Sequence, residues 1–227
     1  MIRVTKNLAL ISDLLATSAS EAGRDPDTVK LLAVSKKQPL DKILAAAAAG
    51  QRDFGENFVQ EGLEKIQATA ADGLTWHFIG HLQSNKTRVV AEFFDWVHTI
   101  DKLKVATRLS GQRPDDRPPL NVCLQVNVDE ETTKSGASVD ALPELAAACS
   151  ELPNIRLRGL MCLPAMRHEF QAQREPFARL RKLAEDLERQ GIVMDTLSMG
   201  MSGDFRAAIF EGATIVRIGT ALFGERN

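Results

Sequence analysis

The chain has 227 residues, of which 44% are hydrophobic and 26% charged, and its formal net charge is −2. That length suits one folded unit with a full apolar core, so residues 1–227 are read as a single barrel-sized domain. The balanced charge excludes the basic footprint of a nucleic-acid or anionic-membrane binder, no apolar run approaches the ~18 residues of a membrane span, and Met1-Ile2-Arg3-Val4-Thr5 lacks the apolar stretch of a secretory signal.

In chain order, an N-terminal helix is predicted with Leu8, Ile11 and Leu15 on one side. Eight strand-like runs follow, at 30–35, 52–56, 74–80, 95–100, 120–128, 157–163, 195–200 and 213–219. Segments with helical periodicity lie between them. Leu40, Ile43, Leu44, Ala47 and Ala48 form one face, and the alanine run 45–49 lets that helix approach a sheet closely. Leu142, Leu145, Cys149 and Leu152 form another, and Phe170, Phe177, Leu180, Leu183, Ala184 and Leu187 a third. The turn-rich stretch 111–119 reads as a surface loop before the fifth strand. Eight alternations of strand and helix in one unit predict an α/β fold, a (β/α)8 TIM barrel preceded by an extra helix, over an open doubly wound sheet. The three cysteines, Cys123, Cys149 and Cys162, show neither even pairing nor metal-site spacing, and are expected to be buried free thiols in a reducing cytoplasm.

In such a barrel, function belongs at the C-terminal ends of the strands. Lys36 stands there, directly after the apolar run Leu31-Leu32-Ala33-Val34-Ser35. Burial of its stem should lower its pKa and make the free amine available to attack a carbonyl carbon. The other strand ends bring Glu56-Asn57, Gly80-His81, Asn127, Met161, residues 198–202 and Arg217-Ile218-Gly219-Thr220. Gly219 allows a ligand close to the backbone and Thr220 opens a short helix, a geometry suited to phosphate. Met199-Gly200-Met201-Ser202-Gly203-Asp204 adds donors, with Asp204 as a helix N-cap. Either glycine-rich turn alone reads more readily as a structural loop. Paired with a strand-end lysine, the two point to a phosphorylated carbonyl compound.

The chain resembles the pyridoxal phosphate homeostasis family, single-domain relatives of the N-terminal barrel of alanine racemase. The resemblance rests on Leu32-Ala33-Val34-Ser35-Lys36, Phe54-Gly55-Glu56-Asn57, Trp76-His77-Phe78-Ile79-Gly80, Leu82-Gln83-Ser84-Asn85-Lys86 and His98-Thr99-Ile100-Asp101. It continues through Lys134-Ser135-Gly136, Arg158-Gly159-Leu160-Met161, Ser198-Met199-Gly200-Met201-Ser202 and Arg217-Ile218-Gly219-Thr220. It implies that Lys36 forms a Schiff base with pyridoxal 5′-phosphate. It also implies that Ser202, Gly219 and Thr220 hold the phosphate, that Arg217 lies near the pyridine nitrogen and that Asn57 lies close to the ring. Phe58 stands where a tyrosine is common in the family, which removes a hydroxyl and keeps the stacking surface.

The function so implied is cofactor holding and delivery, without catalysis, by a cytoplasmic monomer that partners neither nucleic acid nor membrane. Apoenzymes or amino acids are the expected acceptors, with Lys134 a candidate secondary amine. The alternative is a pyridoxal-phosphate racemase or lyase. Racemases of this barrel type use a tyrosine from a second domain, and this sequence contains no tyrosine. A cofactor-free Schiff-base aldolase is a third reading. His77 is expected to be a packed, hydrogen-bonded core residue, His98 and His168 to be structural and surface residues, and Trp76 and Trp96 to serve packing.

Overall fold

Eight short runs become eight parallel strands whose first and last members pair, so the sheet closes on itself in the order β1 to β8. The structure, a computed structural model, describes residues 2–131 and 135–225, so Lys134 lies outside the described residues. Helix α1 (Ile2–Glu21) precedes β1 (Lys30–Val34), α2 (Leu40–Ala48), β2 (Asp53–Glu56), α3 (Val59–Ala68), β3 (Thr75–Phe78) and α4 (Thr87–Phe93). There follow β4 (Trp96–Ile100), α5 (Leu103–Gln112), β5 (Leu120–Gln125), α6 (Leu142–Ser150), β6 (Ile155–Met161) and α7 (Phe170–Arg189). Strand β7 (Thr196–Met201), α8 (Phe205–Phe210), β8 (Ile215–Ile218) and α9 (Thr220–Phe223) complete the chain. Parallel neighbours cannot be joined by tight turns, so each step needs a crossover, and a helix supplies it. The fold is the expected TIM barrel with its additional N-terminal helix.

Strand side chains alternate between the helix layer and the lumen. The outward set, including Phe54, Trp76, Phe78, Val97, Val122, Leu160, Val216 and Ile218, joins the buried helix faces in the main apolar core. In α1 that face is Val4, Leu8, Ile11, Leu15 and Ala19. In α2 it is Ile43, Ala46 and Ala47, whereas Leu44 is 40% exposed. The alanines let α2 sit close to the sheet, which turns the face away from Leu44. In α6 and α7 the buried faces hold Leu142, Leu145 and Cys149, and Phe177, Leu180, Ala184 and Leu187, as the periodicity predicts.

The lumen differs from the usual barrel filling of branched apolar layers. Trp96, Cys123 and Met161 form a small separate cluster, and beside it runs a column of buried polar side chains. Strand β5 is shorter than its apolar run. Beyond Gln125 the chain turns to its own downstream loop, with Val126 bridging Ala137 and the Asn127 N–H donating to Ala137 O. Asp204 does precede α8, but its carboxylate accepts from Met201 N at 2.6 Å and closes the turn before the helix instead of capping it.

Candidate active site

Lys36 follows β1 at its C-terminal end and is half-buried. The backbone on either side of it is clamped. The buried Lys65, on α3, donates to Ser35 O at 2.8 Å, to Glu56 Oε1 at 2.8 Å and to Glu61 Oε1 at 2.6 Å. Ser35 Oγ donates to Glu56 Oε1 at 2.5 Å, and Lys37 N–H to Glu61 Oε1 at 2.5 Å. Lys37 takes a positive φ of 57°, a conformation that costs a non-glycine residue about 1–2 kcal/mol. Two acids and one buried lysine thus fix the carbonyl before Lys36 and the amide after it. Burial pushes the Glu56 carboxyl above its usual range, and the bonds from Lys65 and Ser35 only partly oppose that.

The short helix α9, which the Gly219–Thr220 turn opens, is tied at its far end to Gln38 of the same loop and to α2 and α1. Lys42 Nζ donates to Phe223 O at 2.9 Å, Gln38 Nε2 to Gly224 O at 3.5 Å, and Asn7 Nδ2, from α1, to Leu222 O at 2.9 Å. A Cβ on Gly219 would stand 3.1 Å from Val34 O, so the turn lies hard against the exit of β1. Thr220 and Ser202 are exposed on the rim. Asn57, after β2, has its Oδ1 buried with no hydrogen-bond partner among the described residues. A Cβ on Gly80 would fall 2.0 Å from Asn57 O, so only glycine allows the β2 and β3 exits to approach this closely.

Arg217 is buried in the lumen, 4% exposed. Its Nη1 donates to Ser198 O at 2.6 Å and Ser198 Oγ at 2.8 Å, and its Nη2 to Cys162 O at 2.9 Å. Below it, Ser198 Oγ lies 2.8 Å from His98 Nδ1, His98 Nε2 2.9 Å from His77 Nδ1, and His77 Nε2 3.0 Å from Asp53 Oδ1. Lys30 Nζ donates to the same Asp53 oxygen at 3.2 Å. Burial lowers both histidines, His98 well below its ordinary range, where neighbouring His77 and Arg217 add to the effect. Burial would raise Asp53, but the bonds and charges of His77 and Lys30 outweigh it and leave the carboxyl below its usual range.

The structure therefore brings Lys36, Asn57, Ser202, Arg217, Gly219 and Thr220 to the C-terminal end of the barrel. A groove of about 1180 Å³ lies at the opposite end, between α6 and the start of β6, and holds none of them. Sequence reading missed the Lys65–Glu61 clamp, because a helical lysine four residues after a glutamate reads as a solvated pair. It also missed the connection of His77 to His98, which depends on strand register. His81 and His168 are exposed, and the cysteines are buried, with burial raising the thiols to about 12, 11 and 12 for Cys123, Cys149 and Cys162. No group of three or more histidine, cysteine, aspartate or glutamate side chains is placed to hold a metal among the described residues, and no helix among them is long and apolar enough to cross a membrane.

A closed parallel barrel with a clamped lysine at the first strand exit and a glycine turn at the last defines a class of barrel, and residues 15–227 match the model of the alanine racemase N-terminal domain. Within that class, the pyridoxal phosphate homeostasis protein of Pseudomonas aeruginosa is 58% identical over all of this chain and 97% of its own length. The protein of the same name from Escherichia coli is 52% identical over 99% of this chain and 97% of its own. PipY of Synechococcus elongatus, solved with pyridoxal phosphate bound, superposes with a TM-score of 0.84 at 36% identity, covering 97% of this chain and 100% of its own. The chain belongs to the pyridoxal phosphate homeostasis protein family.

Proposed function

We propose that this protein binds pyridoxal 5′-phosphate as a Schiff base on Lys36 and acts as a reversible store and donor of the cofactor in the cytoplasm. The observation that carries the reading is the packing of Gly219 against the exit of β1 at Val34 O, with the helix that follows tied at its end to Gln38 and Lys42. It sets an amine and a glycine turn suited to an anion on adjoining strands. The orphaned Asn57 Oδ1, the crowded glycine at 219 and the exposed hydroxyls of Ser202 and Thr220 fit a small phosphorylated ring compound. The family membership and the relative solved with pyridoxal phosphate support the same ligand.

In this reading Lys36 holds the aldehyde carbon, Ser202, Gly219 and Thr220 hold the phosphate, and Asn57 borders the ring. Arg217 faces the pyridine nitrogen. When bound, the cofactor supplies a reactive aldehyde and an electron-accepting ring. Arginine keeps its protons, so Arg217 donates a hydrogen bond without protonating the ring, which stays a weaker electron sink than one facing a carboxylate. That favours holding over carbanion chemistry, and no tyrosine is available as a second base. We read the protein as a monomeric carrier and not as an enzyme. Its acceptors are apoenzyme lysines or free amino acids, whose amines displace Lys36 from the Schiff base carbon.

The test is an absorbance spectrum of protein loaded with pyridoxal phosphate. Wild type should show an imine band that borohydride fixes on Lys36, and K36A should lose it while remaining folded. A wild-type protein that gains no such band refutes the reading. Sustained turnover of an amino acid by wild type, abolished in K36A, would replace the carrier with a racemase or lyase.

A further inference from the structure

The lumen column has a direction. Asp53 is ionised and can only accept, so His77 Nε2 must carry a proton and donate to it. A neutral His77 then presents Nδ1 as an acceptor, which requires His98 to donate from Nε2. Nδ1 of His98 is left to accept, and the Ser198 hydroxyl must donate to it. Ser198 Oγ in turn accepts from Arg217. Every link is satisfied by this one arrangement, from a buried cation at the top of the lumen to a buried carboxylate at its floor. Both Nη atoms of Arg217 are committed to Ser198 and Cys162, so the guanidinium plane is fixed. His77 is itself held flat, stacked on Trp96 at 5.4 Å and 11°, with the Arg158 guanidinium 4.8 Å from the same Trp96 ring.

We propose that His77 and His98 are positioning residues: each locked as its Nε2–H tautomer, they orient Arg217 toward the ring of the bound cofactor and tie that orientation to Asp53. The link to the cofactor rests on the reading of Arg217 given above, whereas the tautomers do not. The charges that face the two imidazoles are Asp53, Lys30, Asp95 and Arg217. Burial holds both rings neutral against them, which leaves each with one donor and one acceptor. A purely space-filling role for these histidines requires no fixed tautomer and no effect on the ring environment of the cofactor.

Histidine side-chain ¹⁵N spectra of cofactor-free protein test the first half. Two histidines should show a protonated Nε2 and an unprotonated Nδ1, unchanged from about pH 6 to about pH 8. Averaged tautomers, or a protonated Nδ1 on either buried ring, overturn the proposal. The second half is tested with pyridoxal phosphate itself. H98L, which cuts the string, should shift the imine band and weaken cofactor binding about tenfold, the effect of losing about one hydrogen bond. H98Q keeps an acceptor and a donor and should stay within about twofold of wild type. Unchanged band and affinity in folded H98L, or an H98Q as impaired as H98L, overturn the coupling. Should H98L fail to fold, the comparison of H98Q with wild type and the nitrogen spectra decide. A wild-type protein that takes up no cofactor refutes the carrier reading instead, and leaves the tautomers to be judged on their own spectra.

Discussion

Replacing Lys65 by methionine tests the clamp around Lys36. The substitution keeps most of the side-chain volume and removes three donations, to Ser35 O, Glu56 Oε1 and Glu61 Oε1. Glu61 is partly exposed and can turn to water, but Glu56 is fully buried and its second oxygen has no partner among the described residues. Taking the cation from a buried carboxylate costs about 3–5 kcal/mol, so K65M should lose that much stability at neutral pH. The loss should shrink in acid. The Glu56 pKa is already raised in the folded protein, and without Lys65 it rises further, so the native variant takes up a proton that the unfolded chain does not yet hold. The penalty is therefore full above the raised pKa and falls as pH drops through it. Urea titrations of wild type, K65M, E56Q and the double variant at neutral and mildly acidic pH measure this directly. E56Q should recover about half or more of the K65M loss, since a neutral amide needs no cation. Losses of K65M and E56Q that simply add, or a K65M cost below about 1 kcal/mol, would show that the pair does not clamp the lysine loop.

Other expectations follow from single features. G80A forces a Cβ to 2.0 Å from Asn57 O, so the β2 and β3 exits must separate; thermal unfolding should report a loss of at least about 1–3 kcal/mol. The buried thiols, raised to about 12, 11 and 12, should not react with a thiol reagent at mildly alkaline pH until urea is added, and fast labelling of native protein would contradict their burial. His77 and His98 have lowered folded pKa values, so the unfolded chain binds more protons below about pH 6.5 and stability falls with acid from there, by up to about 2.7 kcal/mol per pH unit for the two. H98Q retains one of them and should halve that slope in denaturation curves measured across the range.

Much of the fold could be read from pattern, because each strand is a short apolar run and the turns between are polar. Strand ends were less legible where the ladder gives way to loop pairing, as beyond Gln125, where Ala137 becomes the partner of Val126. Leu44 shows the limit of periodicity: spacing alone places it with Ile43 and Ala47, but the small alanines choose which side of α2 meets the sheet. Among the candidate residues, strand-end position was enough to bring Lys36, Asn57 and Gly219 together. What holds them was hidden. Lys65 and Glu61 look like an ordinary surface pair four residues apart, and their depth depends on α3 folding over the exit of β1. The link from His98 to Ser198 joins residues 100 positions apart, across a lumen that exists only once the barrel has closed.

The seam between β1 and β8 gives the protein a schedule. Lys36 leaves the ribosome long before the turn at Gly219, yet hydrogen bonds from Lys42 and Gln38 to the end of α9 join the two segments. On the proposed function, a half-synthesised chain would carry the amine without the turn proposed to grip the phosphate, and should not capture its ligand while still growing. Conversely, a ligand that spans both strands acts as a latch: its occupancy resists any opening that starts at this junction, so saturation and resistance to proteolysis should rise together.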